Sequence, residues 1–184
     1  MKLKIFIACL AGFLAIKQAT AQNLLIDKKG TAHFFSEAPL ENIEAINESA
    51  IGAIDLDKGT VAVTMLVKNF HFDKSLMEEH FNENYLETEK YPKATFKGTI
   101  RNFEELDFST PGTFTVKADG ILDIHGVKKS LSSDVEFIVS ESEIAAKTNF
   151  KVALKDHKIK IPKLVIKNIA EVVDVDATFN FIKK

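Results

Sequence analysis

The chain has one cysteine and no tryptophan among 184 residues, and its longest N-terminal apolar run, Ile5 to Ile16, falls short of the roughly 20 residues a membrane-spanning helix needs. Lys2 and Lys4 precede that run and Ala19-Thr20-Ala21 follows it, which is the layout of a secretory signal peptide over residues 1–21. The mature chain is then expected to start at Gln22, as a single domain over residues 22–184 in the periplasm or outside the cell. Cys9 leaves with the leader, and Phe6-Ile7-Ala8 comes too early in the apolar run to form a lipid-attachment box. A mature chain without cysteine excludes disulfides, thiol nucleophiles and thiolate metal ligands.

Excess positive charge is also missing. Removing Lys2, Lys4 and Lys17 with the leader leaves 21 basic residues against 26 acidic ones, a formal charge of -5. That balance argues against nonspecific nucleic-acid binding. The 15 phenylalanines far outnumber the two tyrosines, so the aromatic residues suit an interior better than an exposed stacking surface. No cofactor-binding pattern is present. The five histidines, His33, His71, His80, His125 and His157, show no ligand spacing, so no metal site is expected. Neither a Gly-x-Ser-x-Gly elbow nor a nucleophile beside a base can be picked out, and no catalytic residue is assigned. Asp174 and Asp176 share one strand face, but Val173, Val175 and Ala177 alternate with them and place that face in water.

What the chain does have is alternation. Val61, Val63, Met65 and Val67 fall on one face of a strand over Thr60–Phe70, and Phe96, Gly98 and Ile100 on one face of Thr95–Phe103. The stretch Gly112–Val139 forms a hairpin turning at His125-Gly126, with Phe114, Val116 and Ala118 on the dry side of one strand. Leu131, Ser133, Val135, Phe137 and Val139 occupy that side of the other. Ile144, Ala146, Phe150, Val152 and Leu154 repeat the pattern over Glu143–Leu154, as do Val173, Val175, Phe179 and Phe181 over Glu171–Ile182. Earlier segments at Gly30–Ser36 and Ile43–Leu56 complete about eight strands. Leu76, Met77, His80 and Phe81 recur at helical spacing in Asp73–Asn84, and Ser75 with Glu78 fits a capping box. The spacing predicts one short amphipathic helix lying as a lid over one end of the sheet, with its acidic side chains, Glu87 among them, forming a solvated surface. With no βαβ rhythm and no repeat, the class is all-β, an antiparallel barrel or sandwich. Eight strands can close around a packed interior or one slender ligand, and periodicity does not separate the two.

Two motifs narrow the choice. Tyr85 and Leu86, the spacer Glu87–Lys90, then Tyr91, Pro92, Ala94 and Phe96 form one; Gly120, Leu122, Ile124, Gly126 and Val127 form the other. Together they resemble the YceI-like family of exported bacterial proteins, although Lys128 stands where that family commonly has threonine. The resemblance implies an eight-stranded lipocalin-like barrel that holds a polyisoprenoid or other long-chain lipid, often as a dimer and without established catalysis. On that reading the ligand lies against Val63, Met65, Phe96, Ile100, Phe114 and Val116. From the second half of the chain Val135, Phe137, Phe150, Val152, Val175 and Phe179 complete the wall. The alternatives are an envelope domain whose packed barrel serves a protein partner, and an enzyme whose residues the sequence does not single out. The basic connector Lys155–Lys163 either shields a strand end from pairing or attracts lipid phosphates at a membrane surface.

Overall fold

The computed structural model describes residues 23–162 and 168–183. The leader expected over residues 1–21 and part of the basic connector, residues 163–167, lie outside the described residues. Eight antiparallel strands run in chain order: β1 Leu24–Glu37, β2 Asn42–Asp55, β3 Thr60–Leu66, β4 Lys93–Ile100, β5 Gly112–Ile124, β6 Val127–Val139, β7 Glu143–Ala153 and β8 Val172–Ile182. Each pairs with the next, and β1 pairs back onto β8 to close the barrel. Closure leaves no strand at a sheet edge along its whole length.

The ladders are unequal. β5 and β6 pair from Gly112↔Val139 to Ile124↔Val127, around a turn in which His125 (φ 55°) and Gly126 (φ 69°) both have positive φ. By contrast β2 and β3 pair only from Ile51↔Thr64 to Asp55↔Thr60, and β6 and β7 only from Val135↔Thr148 to Val139↔Ile144. The barrel is therefore parted on these two sides at one end, the parted end; at the other, the laddered end, both pairs are joined, while β1 meets β8 only from Thr31↔Thr178 to Phe35↔Asp174.

At the laddered end the inward rows pack into a cluster that includes Leu25, Ile54, Ile100, Phe137, Ile144 and Phe181. The β4–β5 loop adds Phe103, Leu106 and Phe108. The Phe108 ring stands edge-on to Phe137 at 5.1 Å and stacks near Phe103 at 5.8 Å, a geometry aromatic pairs favour.

Several boundaries differ from expectation for physical reasons. β1 begins at Leu24, six residues before Gly30, because register shifts between Asp27 and Ala32 interrupt its alternation. The Asp27 carboxylate stabilises that irregularity by accepting hydrogen bonds from Lys29 N at 2.8 Å and Asn180 N at 2.8 Å. β3 stops at Leu66 instead of Phe70, and Val67–Asn69 turn into a 3-10 helix as the chain leaves β2. β4 stops at Ile100, ahead of a left-handed Asn102. The helix is shorter than the expected Asp73–Asn84: α1 spans Ser75–His80 and runs on as a π-helical turn over Phe81–Tyr85. The capping box does not form. Ser75 lies inside the helix, the flanking residue is Lys74 with no side-chain cap, and Glu78 instead accepts Phe72 N at 3.3 Å. Leu76 is 59% exposed and so does not face the barrel.

Gly120 faces Gly98 across the β4–β5 ladder, where a Cβ would lie 2.4 Å from the Lys97 carbonyl oxygen and 2.6 Å from the Phe96 ring. Gly120→Ala is expected to cost about 1–3 kcal/mol through overpacking, read by urea unfolding. Gly112→Ala, whose new Cβ would meet nothing nearer than Phe114 at 3.5 Å, is expected to stay within about 0.5 kcal/mol of the parent.

Candidate functional site

At the parted end the same inward rows continue and are covered by other segments. β1 supplies Ala32, Phe34 and Ser36, β3 supplies Met65, β5 supplies Leu122 and Ile124, β7 supplies Phe150 and Val152, and β8 supplies Val173 and Val175. Together with the β3–β4 connection they line a half-open cavity of about 300 Å³. No β6 residue is among its lining, consistent with β6 parting from β7 above Val135.

The cover is built from residues 67–92. Where β3 leaves β2, Ile46 and His71 exchange backbone hydrogen bonds at 3.1 and 2.9 Å, so the segment after Leu66 takes β3's place beside β2. Asn47, fully buried, donates from Nδ2 to the Leu66 carbonyl at 2.9 Å at the point of divergence. Phe70 and Phe72 then turn onto Phe34, with ring centroids 5.5 and 5.7 Å away. Phe81, from the π-helical turn, stacks on Phe34 at 5.6 Å. Four aromatic rings thus form the cavity's roof, and Met77, Tyr85 and Leu86 extend it. The helix is a lid, as its amphipathic pattern predicts, but its buried side carries Met77, Phe81 and Tyr85 instead of Leu76.

Polar contacts fasten the lid on two sides. Near the start of α1, Lys74 Nζ donates to Glu41 Oε1 at 2.7 Å, reaching the β1–β2 turn. That hydrogen bond and the lysine charge hold the Glu41 carboxyl below its ordinary pKa range. At the other side the His125 ring lies 2.8 Å from Glu87 Oε2 and, through Nδ1, 3.0 Å from the His157 carbonyl oxygen. Tyr91 meets His125 edge-on at 4.4 Å, and a Cβ on Gly126 would be 2.7 Å from the Tyr91 ring. His125 is a turn residue, as expected, and is also buried as the meeting point of three segments. Glu87 is exposed yet bonds to that ring, which the expectation of a purely solvated acidic loop did not include.

Of the twelve residues singled out from the sequence, Met65, Phe150, Val152 and Val175 line the cavity. Phe96 packs beside Phe150 and Val175 in the wall behind it. Val63, Ile100, Phe114, Val116, Val135, Phe137 and Phe179 lie in the packed cluster at the laddered end. Phe34, Phe70, Phe72 and Phe81 were not singled out as ligand contacts; alternation does not bring the lid over β1. The available signal was the inward row of β1 with the phenylalanines flanking α1.

The wet faces behave structurally. Lys151 pairs with Asp174 at 2.6 Å, and Asn149 donates to Asp176 at 2.8 Å. Among the described residues no group of three His, Cys, Asp or Glu side chains could hold a metal ion.

The family model for the YceI-like domain matches residues 26–181. A polyisoprenoid binding domain from Saccharophagus degradans implicated in plant cell wall breakdown has a similar structure, with a TM-score of 0.75 at 14% identity over 89% of this chain and 99% of that one. BcnA from Burkholderia cenocepacia superposes with a TM-score of 0.67 at 16% identity, covering 85% of this chain and 97% of that one. A YceI protein from Campylobacter jejuni gives 0.58 at 19% identity over 74% and 81%. No curated protein matches the sequence.

Phe34 touches three of the roof's rings, and Phe34→Ala is expected to cost about 2–4 kcal/mol, the lower part reflecting its incomplete burial. Hydrogen exchange should show the loss of protection concentrated in residues 67–91, with β5 and β6 around Phe137 largely unaffected.

Proposed function

The chain belongs to the YceI-like domain family, and from that premise we propose that it is an exported, non-catalytic carrier that buries an isoprenoid or quinone-like lipid in its barrel. The observation that carries this reading is the cavity of about 300 Å³ whose walls are almost wholly aliphatic and aromatic. Its volume is at the lower end of the range for small-molecule sites, about 300–1,000 Å³, and suits a slender chain. Burying one five-carbon isoprene unit contributes on the order of 3 to 4 kcal/mol before ordering costs. A few units therefore give useful affinity without a covalent or ionic anchor.

Four cavity residues, Met65, Phe150, Val152 and Val175, are proposed as ligand contacts, joined by Phe34 and Phe81 of the roof. The polyisoprenoid binding described for the Saccharophagus degradans domain supports the ligand class. The layout of residues 1–21 supports export to the periplasm or beyond, where such a carrier would move a lipid through water. Exposed Lys155, Lys158 and Lys160 support transient contact with an anionic membrane surface during loading. The second reading, an envelope domain that meets only a protein partner, draws on the packed cluster at the laddered end; it gives the cavity no role.

Native mass spectrometry of the mature protein from an envelope extract is expected to show a chain starting at Gln22 with a stoichiometric apolar lipid. Phe150→Asp, which puts a carboxylate in the cavity wall, should abolish retention of that lipid while the barrel stays folded. Phe137, 2% exposed in the packed cluster, makes the contrast: Phe137→Asp is expected to unfold the domain. A protein that comes through empty, and takes up no fluorescent prenyl probe, sinks the carrier reading.

A further inference from the structure

The cavity has a mouth and a floor, and the floor lies partway down the barrel. On β5 the inward row passes from Leu122, which lines the cavity, to Gly120, which does not, and on β1 it passes from Ala32 to Gly30 in the same way. These glycines leave room at the barrel's waist, but phenyl rings take it. The Phe96 ring lies over Gly98 and Gly120, where added Cβ atoms would fall 2.8 and 2.6 Å from its Cζ. On the β1–β2 side the Phe179 ring covers Gly30 and Gly52, 2.5 Å from a Cβ placed on Gly52.

Below the waist the filling continues. Phe179 stacks near Phe181 at 6.2 Å, and Phe108 stands edge-on to Phe137 at 5.1 Å. Of the described residues in or against that packed cluster, Met65 alone also lines the cavity. The cavity is a blind pocket, open at the parted end, where half-buried Glu41 of the β1–β2 turn and exposed His80 of the lid reach its lining. Volume then sets a length. A dry apolar cavity of roughly 150 Å³ accepts one benzene ring, so about 300 Å³ accepts about a dozen carbons, or two to three isoprene units. Further units find no apolar surface beneath, because reaching it means driving Phe96 off Gly98 and Gly120 in a close-packed interior.

We infer that Phe96, lying over the two glycines, sets a tail-length ceiling: the cavity draws affinity from two to three isoprene units, and a longer tail leaves its remainder at the mouth. The inference rests on the carrier reading above and adds to it how much of the ligand is recognised. A tunnel through the whole barrel would gain affinity with every unit added. Phe96 is placed to make the difference because it packs with Leu122, Phe150 and Val175, which line the cavity, while its ring tip fills the space below them. Without that ring, the space over Gly98 and Gly120 joins the cavity.

The test is displacement of a fluorescent apolar probe from the mature full chain by four alcohols that differ only in tail: geraniol, farnesol, geranylgeraniol and geranylfarnesol. In the parent, farnesol is expected to bind about 10-fold or more tighter than geraniol, and the three longer alcohols to lie within about threefold of one another. Phe96→Ala should deepen the floor, so that geranylgeraniol binds about 10-fold or more tighter than farnesol. Val175→Phe should raise it, bringing farnesol to within about threefold of geraniol. Affinity that rises more than threefold at each step to geranylfarnesol in the parent overturns the ceiling and leaves the carrier reading standing. A folded Phe96→Ala protein with the parent's series overturns the role given to Phe96; should that variant not fold, an unchanged series in Val175→Phe overturns the ceiling from the other direction. Failure of every alcohol and of the probe itself overturns the carrier reading, and the ceiling with it.

Discussion

The β2–β3 and β6–β7 ladders, which both stop short at the same end, are the constraint on which the rest depends. β2 meets β3 only below Thr64, and β6 meets β7 only below Thr148, although each of these four strands extends further. A closed barrel that parts on two sides at one end cannot satisfy its backbone there by sheet pairing alone. Other segments take up that role. The His71 backbone bonds to Ile46 on one side, and on the other the 3-10 turn Leu154–His157 brings the His157 carbonyl to His125 and its Nδ1 toward the Val127 carbonyl, 3.1 Å away. The lid and the connector are thus required by the pairing as well as by any ligand.

The two sequence motifs behave as parts of one clamp. Tyr91 rests on the turn at Gly126, where a side chain would collide with its ring, and Glu87 reaches the histidine beside that glycine. Further along the same segments Phe96 lies across Gly98 and Gly120. The lid's exit and the β5–β6 hairpin therefore hold each other in register through small residues opposite large ones. Their separation in sequence hides this, and the contact explains why the aromatic and glycine patterns occur in one chain.

Strand existence was legible because burial on one face enforces a period of two, and from β5 to β8 that rule is unbroken. It was blurred in β1, where the irregularity around Lys28 and Lys29 shifts the inward row. The site was harder to read. Val116 and Val175 are the same residue type on equivalent inward rows, yet one packs in the cluster at the laddered end and the other lines the cavity. What separates them is where neighbouring ladders stop, a property of pairing between distant segments that periodicity within a strand does not carry. The helix shows a related limit: Ser75 and Glu78 have the spacing of a capping box, but Phe72 N claims the glutamate, and the cap is lost to a tertiary contact.

The cavity itself has an energetic consequence. The cavity is half open, so its apolar lining meets water when nothing occupies it, and a chain that covers the lining gains roughly 25 cal/mol for each Å² removed from water. The walls at this end resist collapse because the β-strands hold Ala32, Leu122 and Val152 in place, leaving the roof as the part able to adjust. Phe70, Phe72 and Phe81 meet Phe34 by edge and stacked contacts that survive small rotations. A rigid wall under an adjustable aromatic roof suits occupants of different length, and the apolar lining that meets water in the empty cavity becomes binding free energy for a chain of the right width.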